Sequence, residues 1–145
     1  MIPPVELVLE LSSDVSELAR LAEAVDSFGA AHALPARLVF NLNLVLEEVV
    51  VNVMHYAFAD TGAHSIHVRL RFAGRRVEVE VRDAGNAFDP LSAPVPDLSL
   101  DLEQRQVGGL GVHFLRTLMD EVRYERRDGE NRLYFCQALP AAAGG

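Results

Sequence analysis

Residues 66–90 read IHVRLRFAGRRVEVEVRDAGNAFDP, and this stretch decides the fold. Ile66, Val68, Leu70 and Phe72 alternate with His67, Arg69 and Arg71. After a turn at Gly74, Val77, Val79 and Val81 alternate with Glu78, Glu80 and Arg82. A period of two sends successive side chains to opposite faces, so each run is a strand with one apolar and one charged face. The tight turn makes the pair an antiparallel hairpin, and opposite charges on its wet face favour the pairing modestly.

The same alternation recurs on either side. Downstream, Val122, Tyr124 and Arg126 alternate, Asp128-Gly129 supplies a turn, and Leu133, Phe135, Gln137 and Leu139 continue the pattern. Upstream, Val5, Leu7, Leu9 and Leu11 alternate with Glu6, Val8 and Glu10, which predicts a first strand. Ser12, Ser13 and Asp14 are capping residues for a helix in which Leu18, Leu21, Ala22, Val25 and Phe28 recur at helical spacing until Gly29. Beyond Pro35 the most apolar helix spans 36–59, with Leu38, Leu42, Val45, Leu46, Val49, Val53 and Ala57 on its inner stripe and Asp60-Thr61-Gly62 ending it. Residues 108–111 open one more helix that runs to about Asp120. The resulting order predicts a two-layer α/β (α+β) sandwich, with helices on one face of a mixed, mainly antiparallel sheet. Two strand pairs joined by tight turns argue against a doubly wound parallel sheet.

A chain of 145 residues, half of them hydrophobic, suffices for one domain over 1–145 with a real core. No repeat, heptad or linker divides it. Cys136 is the single cysteine, so no intrachain disulfide is expected; it sits in an apolar pattern that favours a buried thiol over a reactive one. The net charge of −8 argues against a nucleic-acid or anionic-membrane surface, although a phosphate site needs only local donors. No signal peptide is visible after Met1, and the apolar stretches fall short of the roughly 20 residues a membrane span requires. A soluble, cytoplasmic protein is expected. His32, His55, His64, His67 and His113 show no metal-site spacing and read as ordinary histidines.

Three segments offer chemistry. Glu48 and Asn52 lie four apart on the apolar helix and share a face that His55 and Tyr56 extend. A carboxylate and an amide beside Val49, Val50, Val51 and Val53 cost free energy unless something satisfies them. Either they serve a metal ion and a hydroxyl beside a phosphate, or they form a paired polar edge holding a loop. Glu47, one step round, reads as solvent-facing or supporting. The second segment is Asp83-Ala84-Gly85-Asn86-Ala87-Phe88-Asp89-Pro90. Asp83 has acceptors suited to the exocyclic amine of adenine, Gly85 would admit close backbone approach to the base, and Phe88 with Asp89-Pro90 would brace the loop. An ordinary turn is the other reading. The third is Gly108-Gly109-Leu110-Gly111 at a helix start, where amide donors and the helix dipole suit phosphate oxygens. It is neither a Walker motif nor a Rossmann turn.

In this order the three segments resemble the superfamily of gyrase, heat-shock chaperone, histidine kinase and mismatch-repair ATPases, most of all its anti-sigma-factor serine kinases. The match runs from about Val5 to Leu139: Glu48-Val-Val-Val-Asn52 for the helix motif, Asp83-Ala-Gly85 with Phe88-Asp89-Pro90 for the adenine box, and Gly108-Gly-Leu-Gly111 for the second glycine box. The resemblance implies a Bergerat-type fold that binds ATP and Mg2+. It implies Glu48 as general base, Asn52 as magnesium ligand, Asp83, Gly85 and Phe88 around adenine, and Gly109, Leu110 and Gly111 along the phosphates. Residues 89–107 would be the nucleotide lid and 140–145 a short tail. Arg105 either reaches the γ-phosphate from the lid or stays a surface residue. The implied activity is phosphorylation of a serine on an anti-sigma antagonist-like protein, with a sigma factor as second partner and a homodimer through the first strand and its adjoining helix. A non-catalytic, ATP-responsive binding module and a scaffold with a fossil pocket are the competing readings. Two departures stand out: Tyr56 takes the place where the family often has a histidine, with His55 one earlier, and the 89–107 segment has no lysine.

Overall fold

The computed structural model describes residues 6–58, 64–92 and 109–140. Strand β1 (Glu6–Ser12) leads through a 3-10 turn to helices α1 (Leu18–Ala31) and α2 (Ala36–Tyr56). The hairpin β2 (Ser65–Ala73) and β3 (Arg76–Asp83) follows, then a 3-10 turn at Pro90–Ser92, helix α3 (Gly109–Leu118), and the hairpin β4 (Glu121–Arg127) and β5 (Glu130–Ala138). The first-strand residue Val5, the Asp60-Thr61-Gly62 helix stop, Gly108, Arg105 with most of the 89–107 segment, and tail residues 141–145 lie outside the described residues.

The five strands form one sheet in the order β1-β2-β3-β5-β4, and every neighbouring pair is antiparallel. The parallel pairing implied by a mixed sheet does not occur among the described strands. Two helices rather than one separate β1 from β2, and β5 rather than β4 sits beside β3. Both choices make the neighbour antiparallel. Each hairpin closes on two residues with positive φ, Gly74 and Arg75 in one and Asp128 and Gly129 in the other. That backbone twist matches the right-handed twist of the strands.

Cross-strand pairs such as Val68↔Val81 and Val79↔Phe135 put the apolar alternation of all the inner strands on one face. There they meet Leu42, Val45, Leu46 and Val50 of α2, all fully buried, in one core. The opposite face carries charge: Arg69 pairs with Glu6 at 2.8 Å, and the Tyr134 hydroxyl donates to Glu78 at 2.7 Å. Among the described residues one helix, α2, is long and apolar enough to pass for a membrane span, yet half of its most apolar window is buried inside the fold. Cys136 is buried, and burial raises its thiol pKa, so it behaves as packing.

Two helix ends differ from the sequence expectation. Helix α1 runs through Gly29 to Ala31 instead of stopping at the glycine. A Cβ at Gly29 would lie 2.6 Å from a Val39 methyl, so the glycine permits close contact between α1 and α2. Helix α2 ends at Tyr56, three residues before the expected Ala59. The carbonyl of Ala57 accepts a hydrogen bond from the Asn86 amide at 2.6 Å. The start of the Asp83 loop is thereby fastened to the end of α2.

Candidate functional site

The end of α2, the loop after β3 and the inner face of β4 and β5 converge on a narrow cavity. Val49, Val53, Val81, Asp83, Phe88, Pro90, Tyr124, Asn131 and Leu133 line it. Among the described lining residues Asp83 is the one carboxylate, and it is only 2 % exposed. Burial raises its pKa, opposed by hydrogen bonds from Asn131 and from the Gly85 amide. Both bonds fall on Oδ1, at 3.0 Å from Asn131 Nδ2 and 2.9 Å from Gly85 N. Oδ2 is left for another donor.

The loop itself is held at several points. Arg126 donates to the Gly85 carbonyl at 2.7 Å, and Phe88 N donates to Asn131 Oδ1 at 3.0 Å. The Tyr56 ring stacks on Phe88 with centroids 5.2 Å apart and planes 20° from parallel. Tyr56, where the family often has histidine, thus joins the end of the motif helix to the loop. Asp89 Oδ1 accepts from Leu91 N at 2.8 Å, and Arg116 of α3 donates to the Leu91 carbonyl. The stretch leaving the cavity is therefore tied to α3.

Gly85 also meets a packing constraint set by the fold itself. A Cβ there would lie 2.4 Å from the Ala57 carbonyl oxygen and 2.9 Å from the Ala57 Cβ. The crowding comes from the end of α2, and the glycine lets the loop press against it. Gly85→Ala should push the loop off α2, break the Asn86–Ala57 bond and destabilise the fold by about 1–3 kcal/mol. Urea unfolding would measure that loss, and wild-type stability in the variant would show the contact to be unimportant.

Glu48 and Asn52 sit on the same helix as Val49 and Val53 but do not line the cavity. Glu48 is half-buried. Its pKa is raised, first by desolvation and then by the like charge of Glu47. Asn52 is 3 % exposed; its Oδ1 accepts no hydrogen bond, while the residue makes other contacts. The pair offers hard oxygen donors and a basic carboxylate, a set that suits a magnesium–phosphate centre. Gly109, Leu110 and Gly111 form the first turn of α3, which packs against α2. Arg105 falls outside the described residues.

Asn131, Tyr124 and Arg126 were not singled out from sequence. Asn131 lies two positions before Leu133 on the inward register of β5, and an amide interrupting that apolar face was the available signal.

A two-layer fold with a buried aspartate beneath a helix bearing Glu48 and Asn52 defines an ATP-binding domain of the Bergerat type. The sequence model of the histidine kinase-like ATPase domain family matches residues 11–136, and the chain belongs to that family. The serine/threonine-protein kinase BtrW of Bordetella bronchiseptica is 39% identical over 98 residues, which cover 68% of this chain and 69% of that protein. The serine-protein kinase RsbW of Bacillus subtilis is 30% identical over 95 residues, covering 61% of this chain and 58% of that protein. This kinship places the chain among ATP-using phosphotransferases. The structure of the RsbU and RsbW domains of Rv1364c from Mycobacterium tuberculosis superposes with a TM-score of 0.69 at 16% identity, over 97% of this chain and 34% of that one. At that identity it supports the fold alone.

Proposed function

We propose that the chain is a cytoplasmic, ATP-dependent serine protein kinase acting on an anti-sigma antagonist-like regulator, with a sigma factor as a second partner. The buried Asp83 carboxylate carries this reading, because two protein bonds occupy Oδ1 and Oδ2 is the oxygen that would take the exocyclic amine of adenine. Phe88, Val49 and Val53 supply apolar surface for the ring. The amides of Gly109, Leu110 and Gly111 at the start of α3 would face the phosphates.

Asn52 would hold Mg2+, whose chemistry is to offset charge on the phosphate oxygens. Glu48 accepts the proton of the incoming serine hydroxyl. The serine oxygen forms the new bond to the γ-phosphorus, and the oxygen bridging to the β-phosphate leaves with the bonding electrons on ADP. Arg105 would contribute charge at the γ-phosphate.

A second copy would dock along β1, the sheet edge on which Val8 is 63 % exposed, and on the adjoining α1. The deciding experiment incubates the purified chain and γ-labelled ATP with antagonist-like proteins from the same genome, then maps the modified serine. Failure of the folded protein to take up ATP at millimolar concentration would overturn the reading. Uptake without transfer to any such protein would favour an ATP-responsive binding module.

A further inference from the structure

The proposed ATP reading makes direct use of Asp83 and Phe88 but gives no task to Asn131, the buried amide that joins them. Asn131 is 4 % exposed and sits opposite Asp83 in the β3–β5 register and opposite Arg126 in the β4–β5 register. Its Nδ2 donates to Asp83 Oδ1 at 3.0 Å and to the Asn86 carbonyl at 2.7 Å. Its Oδ1 accepts from Phe88 N at 3.0 Å and from the Tyr124 hydroxyl at 2.5 Å. A carboxamide has two donors and two acceptor sites, so these four bonds saturate it.

The partners also fix which way the amide points. Asp83 and the Asn86 carbonyl are acceptors only, and the Phe88 amide is a donor only, so the flipped orientation would set like against like at three of the contacts. Asp83 Oδ1 is therefore held from the neighbouring strand, and its carboxylate plane cannot swing without breaking a buried bond. The same side chain clamps the loop at Asn86 and Phe88, on both sides of Ala87. Tyr124, reaching in from the edge strand β4, completes the amide's coordination.

We infer that Asn131 is the positioning residue for base recognition: it aims Asp83 Oδ2 at the base edge, and so sets the preference for a 6-amino purine over a 6-oxo one. It touches no nucleotide in this scheme and acts through Asp83 and the Phe88 loop. The inference rests on the ATP reading above. Adenine presents an amine to the carboxylate, whereas hypoxanthine presents a carbonyl oxygen that the carboxylate repels. A rigid carboxylate discriminates sharply between them; a loosened one does not.

The test compares ATP with inosine triphosphate by calorimetry on the full chain, with near-ultraviolet dichroism reporting the fold. Wild type should prefer ATP. Asn131→Leu should weaken ATP about 10- to 30-fold, the scale of a misplaced charge-assisted hydrogen bond, and change inosine triphosphate less than about threefold. A role in packing alone would weaken both nucleotides alike, and that result overturns the inference. So does a wild type that binds both equally. A folded wild type that binds neither removes the ATP reading itself. Tyr124→Phe deletes only the hydroxyl bond and keeps the ring, so it serves if the leucine variant misfolds. It should lower the ATP preference about threefold, the loss expected for one modest hydrogen bond, and an unchanged preference in it counts against the inference.

Discussion

Glu48→Gln should lower the rate of phosphoryl transfer by about 10²- to 10⁴-fold, the range for removal of a positioned general base, while ATP affinity stays within a few-fold of wild type. The substitution keeps size and hydrogen bonding but removes the ability to take a proton. Single-turnover transfer and nucleotide binding, measured separately, check the two halves. Equal transfer by both forms would remove Glu48 from the chemistry.

The same residue predicts a pH dependence. Desolvation, and then the neighbouring Glu47 charge, raise the Glu48 pKa, and the base is the ionised form. Transfer should therefore decline as pH falls through that raised value. Glu47→Gln removes the like charge and should move this acid limb to lower pH; in Glu48→Gln the limb should vanish. The effect on stability has the opposite sense. A carboxyl whose folded pKa is raised binds its proton more tightly in the native state. Its contribution is most favourable below the unfolded pKa and is lost as pH rises through the folded one. Glu48→Gln should thus gain stability at neutral pH relative to wild type, and that gain should fade in acid.

Much of the fold was legible because it rests on periodicity. The alternation at Ile66–Phe72 and Val77–Val81 and the i, i+4 stripe of α2 are large, local signals, and each matches a described element. What escaped was set by contacts between distant segments. Gly29 looks like a helix stop in sequence, and only the nearness of Val39 explains why it lies inside α1. The end of α2 depends on an amide from Asn86, nearly thirty residues on in the chain. In the candidate site, Asp83 and Phe88 were visible from their motif, and the cavity contains both. Asn131 was not, because an amide interrupting the apolar alternation of β5 is a weak signal that does not say what it faces. Its importance comes from the register that sets it opposite Asp83. Tyr56 was visible as the end of the polar edge on α2 and as a departure from the family pattern, but its stacking on Phe88 required the loop to be placed first.

Asp83→Asn should separate stability from function most sharply. The asparagine Oδ1 can still accept from Gly85 N and from Asn131 Nδ2, so both bonds that hold the carboxylate survive. Burial raises the Asp83 pKa, which marks the ionised group as a cost to the folded state at neutral pH. The variant should accordingly melt at the wild-type temperature or above, and the difference should shrink as pH falls through the raised folded pKa and be gone below the unfolded one. Nucleotide binding should move the other way. The new Nδ2 is a donor where the 6-amino group of adenine also brings donors, so ATP should bind about 100-fold more weakly, the cost of losing a charge-assisted bond and leaving a buried donor unmatched. A 6-oxo purine brings an acceptor to the same place. Inosine triphosphate should lose far less and overtake ATP as the better ligand. Calorimetry with the two nucleotides, beside a thermal melt across pH, measures all three effects. A variant that melts like wild type and still prefers ATP would show that the Asp83 carboxylate does not read the base.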